Sequence, residues 1–196
     1  EFRRVLFRST IAEAGQFATQ LGVRLGIYEK YGVQVQVVIF NDDGGVLQAM
    51  LSGSTDLAQV GVAGVLSSQT TDNPATVVAV QKTRVVDGLF CAREIRTAAD
   101  LRGKSIGVSS LGSMAHASAL LALQALKLTA KDVTIASVGG QAQRIAALKA
   151  GSIACAPAAI DQARDLSPLG FNTVVDLSTS NLQYPASALA MPVKFI

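Results

Sequence analysis

The chain has 196 residues, 49% hydrophobic and 16% charged, with 17 glycines, 5 prolines, 2 cysteines and no tryptophan. That is enough apolar material for a buried core, and it excludes disordered, collagen-like and disulfide-scaffold proteins. The formal charge of +3 would suit an anionic partner, but most of it is concentrated at the N-terminal end.

Residues 1–9, EFRRVLFRS, resemble the in-frame translation of a common sequencing adapter and show no helical or strand period continuous with the residues after them. They hold three arginines and one glutamate, so without them the charge falls from +3 to +1 and no nucleic-acid partner is expected. On this reading residues 1–9 are a construction scar, the natural N-terminus is missing, and a signal peptide, lipid-attachment cysteine or DNA-binding head could have preceded the chain.

From Ile11 to Tyr31 the residues Ile11, Ala14, Phe17, Ala18, Leu21, Leu25 and Tyr28 recur at spacings of three and four, which predicts an amphipathic helix ended by Gly32. Val33 to Phe40, VQVQVVIF, begins in alternation and ends as an apolar run, a strand joining a covered sheet. Asn41-Asp42-Asp43-Gly44-Gly45 is a turn cluster before a helix over Val46 to Ser52. Leu57 to Val60 predicts a strand, Val62 to Gln69 a helix opened by Gly61, and Thr76 to Gln81 a further strand.

Near Arg93 the pattern restarts. Thr97 to Gly103 gives a capped turn, Ser105 to Ser109 a strand, and Met114 to Leu128 a helix apolar almost all round and so packed on most sides. Val133 to Val138 is a strand, Ala142 to Ala150 a helix closed by Gly151, and Ile153 to Ala156, Ile160 to Leu166 and Asn172 to Leu177 continue the alternation. Such alternation favours a mainly parallel sheet covered by helices on both faces. Ala49 to Asp56 and Ala147 to Ala154 both run helix, Gly-Ser, strand, as two similar lobes would. The longest uncharged run, Ser105 to Leu126, is broken by Gly107, Gly112 and several serines and is not a membrane span.

In open α/β sheets ligands collect beyond the carboxyl ends of strands, where helix N-termini expose unpaired amides. The exit loops Asn41 to Gly45, Gly61 to Ala63, Ser109 to Ser113 and Gly139 to Gln141 qualify. Ser109-Ser110-Leu111-Gly112-Ser113 suits an anionic head group, although Ser110 or Ser113 could equally cap the next helix; both roles are compatible. Asp42 and Asp43 either meet a ligand or stabilise a helix N-terminus, and the second is the commoner use.

Gly139-Gly140 lacks the spacing of a dinucleotide fingerprint and the chain has no phosphate-loop motif. The single histidine, His116, reads as a packing or locally bonded side chain. There is no His/Cys cluster, no Gly-x-Ser-x-Gly elbow, and Cys91 and Cys155 read as two small buried thiols, with a disulfide as the alternative. Binding without turnover is expected, with no cofactor and no metal.

Four stretches occur together: Leu25 to Val33 (LGIYEKYGV) before a strand, Leu47 to Gly53 (LQAMLSG) with Asp56-Leu57-Ala58, Ala98 to Val108 (AADLRGKSIGV), and Ala146 to Gly151 (AALKAG). In this order the chain resembles the substrate-binding proteins of ABC importers in the nitrate, taurine and aliphatic-sulfonate group, from about Ile11 to Ile196. The resemblance implies a type II periplasmic-binding fold. Two α/β lobes would be joined by crossovers near Val86 to Arg93 and Ala186 to Pro192, with the ligand enclosed between them and captured by hinge closure. Members are longer, so the resemblance implies that the natural first strand, which the scar replaces, and the returning C-terminal helices are lacking. The expected division is residues 1–9 scar, 10–88 partial first lobe, 89–190 second lobe, and 191–196 the start of the return.

Carried onto this sequence, the ligand-binding positions are Asn41, Asp42, Gly61, Val62, Ala63, Ser109, Ser110, Gly112, Ser113, Gly140, Gln141, Pro157 and Ala158. Where the family commonly has an aspartate after Gly-x-Ile/Val, Ala154 stands here, which weakens assignment over Cys155 to Asp161. The implied function is a periplasmic or extracellular, sometimes lipid-anchored, monomer that presents a small polar or anionic solute to a membrane permease. An effector domain of a transcriptional regulator is the alternative, and a pyrimidine-precursor synthase ranks behind it.

Overall fold

The computed structural model describes residues 3–10, 17–40, 42–180 and 184–195. The elements are β1 (Arg3–Thr10), α1 (Phe17–Arg24), β2 (Val33–Phe40), α2 (Asp43–Leu51), β3 (Leu57–Gly61), α3 (Val62–Ser67) and β4 (Ala75–Lys82). They continue with β5 (Asp87–Cys91), α4 (Ala98–Leu101), β6 (Ser105–Val108), α5 (Met114–Ala125), β7 (Thr134–Ser137), α6 (Gln141–Lys149), β8 (Cys155–Ala159), α7 (Ala163–Leu166), β9 (Asn172–Asp176) and β10 (Ser187–Pro192). Two compact units result, one of Glu1–Thr83 with Pro185–Ile196 and the other of Arg84–Tyr184. The chain therefore passes into the second unit, and returns, several residues before the expected positions 89 and 191.

In the first unit the strand order is β2-β1-β3-β10-β4. The place of the first strand is filled by residues 3–10, which include most of the segment read as a scar. Residues 3–10 pair in parallel with β2 from Arg3↔Val33 to Thr10↔Phe40, and on the other side with β3. A slot between two strands offers backbone partners on both edges, and that satisfies a segment whose three arginines obscure any period. The return is also partly present, since β10 pairs antiparallel with β3 and β4.

The long first helix is shorter than its periodicity predicts. Its first stretch, residues 11–16, lies outside the described residues, and Gly26, in the left-handed region at φ 63°, turns the chain after α1. The buried core of this unit is Val46, Met50, Ala58, Val60, Val65, Ala75 and Ala190.

The second unit has the order β7-β6-β8-β5-β9. Strand β5 shows why helices cover both faces: Leu89 and Cys91 pack with Ile106, Val108, Ala119 and Leu123 on one side, while Phe90 packs with Leu148, Ile153 and Leu166 on the other. The sheets are mixed rather than mainly parallel. β5 is antiparallel to β8 and β9.

Helix α5 buries Ala115, Ser118, Ala119, Ala122 and Leu123, and small residues let that face sit close to the sheet, while only Leu120, Gln124 and Ala125 are exposed.

Cys91 and Cys155 are not free thiols but a disulfide. Cys91 lies directly opposite Cys155 in the β5·β8 register. The adjoining Ala92 N–H donates to the Ala154 carbonyl, which leaves the cysteines at the closer, non-hydrogen-bonded position, with Cα atoms 4.0 Å apart.

Candidate functional site

In the second unit β6 connects outward to β7, whereas β7 returns past β6 to β8, so the seam between β6 and β8 is a topological switch point. The seam also opens there. The β6·β8 ladder is registered only at Ile106↔Cys155, and Pro157, two residues further along β8, has no N–H to continue it.

Side chains of α6 supply the bonds that a ladder would have made. Arg144 Nε donates to the Pro157 carbonyl at 3.3 Å and Gln141 Oε1 accepts from Ala159 N–H at 3.0 Å. The Arg144 guanidinium also donates to the Gly139 carbonyl at 2.9 Å, tying the β7 exit to the β8 end while only 4% exposed. The buried Arg144 guanidinium thus sets a positive charge beside the seam. The first turn of α6 adds amides without a side-chain cap, since Gly140 is the N-cap residue, and it carries no acidic side chain.

Each expected site residue among the described ones has a definite place. Ser113 caps α5, accepting from His116 N–H at 3.2 Å, and it receives the Ser109 hydroxyl at 2.7 Å. Gly112 N–H donates to His116 Nδ1 at 3.0 Å, so the β6 exit is a self-bonded turn that includes Ser110. Gly140 and Gln141 stand at the seam. Pro157 and Ala158 lie inside β8, opposite Leu89 and Gly88, where Ala158 is buried; only the Pro157 carbonyl reaches the seam. In the first unit Gly61 ends β3 and precedes α3, whose first residue, Val62, donates its N–H to the Ala186 carbonyl at 3.4 Å. Gly61, Val62 and Ala63 thus follow the strand beside that sheet's own switch point, between β1 and β3. Asn41 lies outside the described residues.

Of its two sequence-compatible roles, Asp42 takes the capping one: its carboxylate accepts from Gly45 N–H at 2.8 Å at the start of α2. Asp42→Ala is expected to cost about 1 kcal/mol of stability, the usual loss of an N-cap, and urea unfolding checks it.

Sequence reasoning missed Arg144, Asp87 and Ser118. Asp87 begins β5 at the same end of the sheet as the β8 exit and accepts the hydroxyl of the fully buried Ser118 at 2.5 Å. Arg144 was findable: it stands four residues before the core residue Leu148, on the inward face of α6.

Burial holds His116 below its ordinary pKa of 6.5, and the neutral ring is the form that accepts from Gly112. The unfolded chain therefore binds the proton more readily, so this contribution to stability is complete above pH 6.5 and is lost as pH falls through the lowered folded value. Unfolding curves from about pH 8 to about pH 5 should show that decline in the wild type and a flatter profile for His116→Gln.

Among the described residues no group of three or more His, Cys, Asp or Glu side chains is placed to hold a metal, and no helix is long and apolar enough to cross a membrane.

Two α/β units, each with its own five-stranded sheet, define the periplasmic-binding class of fold, and solved structures agree. A Bordetella bronchiseptica RB50 protein superposes with a TM-score of 0.84 at 23% identity over 98% of this chain and 64% of its own. The alkanesulfonate-binding protein SsuA of Xanthomonas axonopodis pv. citri, solved with MOPS, gives 0.79 at 21% over 98% of this chain and 66% of its own. The periplasmic nitrate-binding protein NrtA of Synechocystis PCC 6803 gives 0.83 at 14% over 100% and 57%. Within that class the chain belongs to the NMT1/THI5-like family, whose sequence profile matches residues 19–179. No curated protein matches it significantly by sequence. The chain spans 64% of the length of the Bordetella protein.

Proposed function

We propose that the chain is the solute-binding part of an ABC importer, taking a small polar or anionic solute of the sulfonate or nitrate kind and handing it unchanged to a membrane permease. The observation that carries this reading is the opened β6·β8 seam, where buried Arg144 and the uncapped α6 amides face a switch point and no acid occupies the first turn of α5 or α6. A negative charge is favoured there by fixed dipoles, and no nucleophile is required. The solute contacts come from Ser110, Gly112, Gly140 and Gln141 of the second unit, and Gly61 to Ala63 form the corresponding strand exit of the first. That related folds are named for alkanesulfonate and nitrate binding supports the solute class. The buried disulfide supports residence in an oxidising compartment, the periplasm or the cell exterior.

Calorimetric and thermal-shift titration with ethanesulfonate, taurine, nitrate and bicarbonate, against amino acids and pyrimidines, tests the proposal. An oxyanion should bind saturably, and Gln141→Ala should weaken it about tenfold. Binding of pyrimidines alone, or turnover of any of these compounds, would overturn it.

A further inference from the structure

At the other end of the second unit's sheet, beyond Cys91 where β5 ends, an open surface pocket of about 630 Å³ is lined by Arg93, Arg96, Ser167, Gly170, Asn172 and Thr173, among others. We propose that it is a second binding site, for a small oxyanion carrying two negative charges, such as a phosphate or a dicarboxylate.

Four observations carry this. Arg93 and Arg96 are both exposed, and among the described residues neither guanidinium makes a hydrogen bond or an ion pair. Asp100 damps the charge of Arg96 without engaging it, because its carboxylate already accepts from the backbone of Arg96 and Thr97 and from the Thr97 hydroxyl. The turn bearing the two arginines is fixed: Asn172 Nδ2 donates to the carbonyls of Ala92, Arg93 and Ile95 at 3.4, 2.9 and 2.9 Å. Finally, Gly170 sits at φ 89°, and a Cβ there would come within 2.4 Å of the Arg93 guanidinium. Only glycine lets that fork lie against the chain, beside the hydroxyls of Ser167 and Thr173.

Two planar cations with hydroxyl donors around one polar cavity match an oxyanion that can receive several forked bonds. Two negative charges would balance both arginines, which a single charge would only half neutralise. The wide cavity and solvent exposure make the site weak and salt-sensitive.

The test is amide NMR of the whole chain titrated with inorganic phosphate and, separately, with succinate, at constant ionic strength with sodium chloride as the control. Saturable shifts at Gly170, Asn172 and Thr173 are expected with one or both anions and not with chloride, and which anion saturates identifies the ligand. Arg93→Gln with Arg96→Gln, both exposed and so tolerated by the fold, should weaken binding at least tenfold. Gly170→Ala should do the same without removing a charge. Shifts equal to those with chloride, shifts unchanged in the double variant, or shifts confined to Gly140 and Gln141 would overturn the proposal. The last result would still be compatible with solute binding at the seam, so the two readings fail separately.

Discussion

Replacing both Cys91 and Cys155 by alanine should lower the stability of the second unit by about 2–4 kcal/mol, equivalent to a fall in melting temperature on the order of 10 °C for a chain of this size. The bond joins residues 64 apart in sequence, so its loss restores to the unfolded chain the freedom of a long loop. In the folded state both cysteines are fully buried, among Leu89, Ile106 and Leu123. Thermal unfolding of wild type refolded with and without reductant, beside the double variant, checks the expectation. Reductant should shift the wild type down to the variant and leave the variant where it is. Equal melting of oxidised and reduced wild type would show that the cross-strand bond contributes nothing.

The second large effect is expected at Arg144. Arg144→Leu keeps the apolar stem but leaves the carbonyls of Gly139 and Pro157 without their donor, and such orphaned acceptors together should cost about 2–4 kcal/mol, partly offset because a buried charge is no longer desolvated. Arg144→Lys retains the charge and loses the fork, so it should recover part of the stability and little of the solute affinity. Urea unfolding gives the first quantity and titration with the bound sulfonate or nitrate the second. If both variants bind solute as wild type does, the guanidinium has no part in shaping the seam.

Much of this architecture could be read from the residues. Strands β2, β6 and β9 follow from short apolar runs bounded by polar turns, whereas Gly32, at φ 71°, closes only the short turn Glu29–Tyr31 and not the long helix expected. Other features depend on partners distant in the chain. β1 is defined by the slot between β2 and β3 and not by its own arginine-rich pattern. Whether two cysteines 64 positions apart meet depends on the register of β5 against β8, which neither segment encodes alone. At the site the loops were legible because glycine and serine mark strand exits, whereas their internal bonding was not. Asp42 and Ser113 commit their oxygens to helix ends, and Arg144 reads as a solvated helix side chain until the Leu148 face is seen to point inward.

Pro157 has a further meaning for anyone altering this protein. An imino acid here keeps two neighbouring strands from zipping together to their tips, so a substitution that restored an amide, such as Pro157→Val, would invite the sheet to knit across the gap and displace the guanidinium now filling it. Such a variant would gain a more regular scaffold and forfeit the opening a guest needs, so that better order makes a poorer receptor.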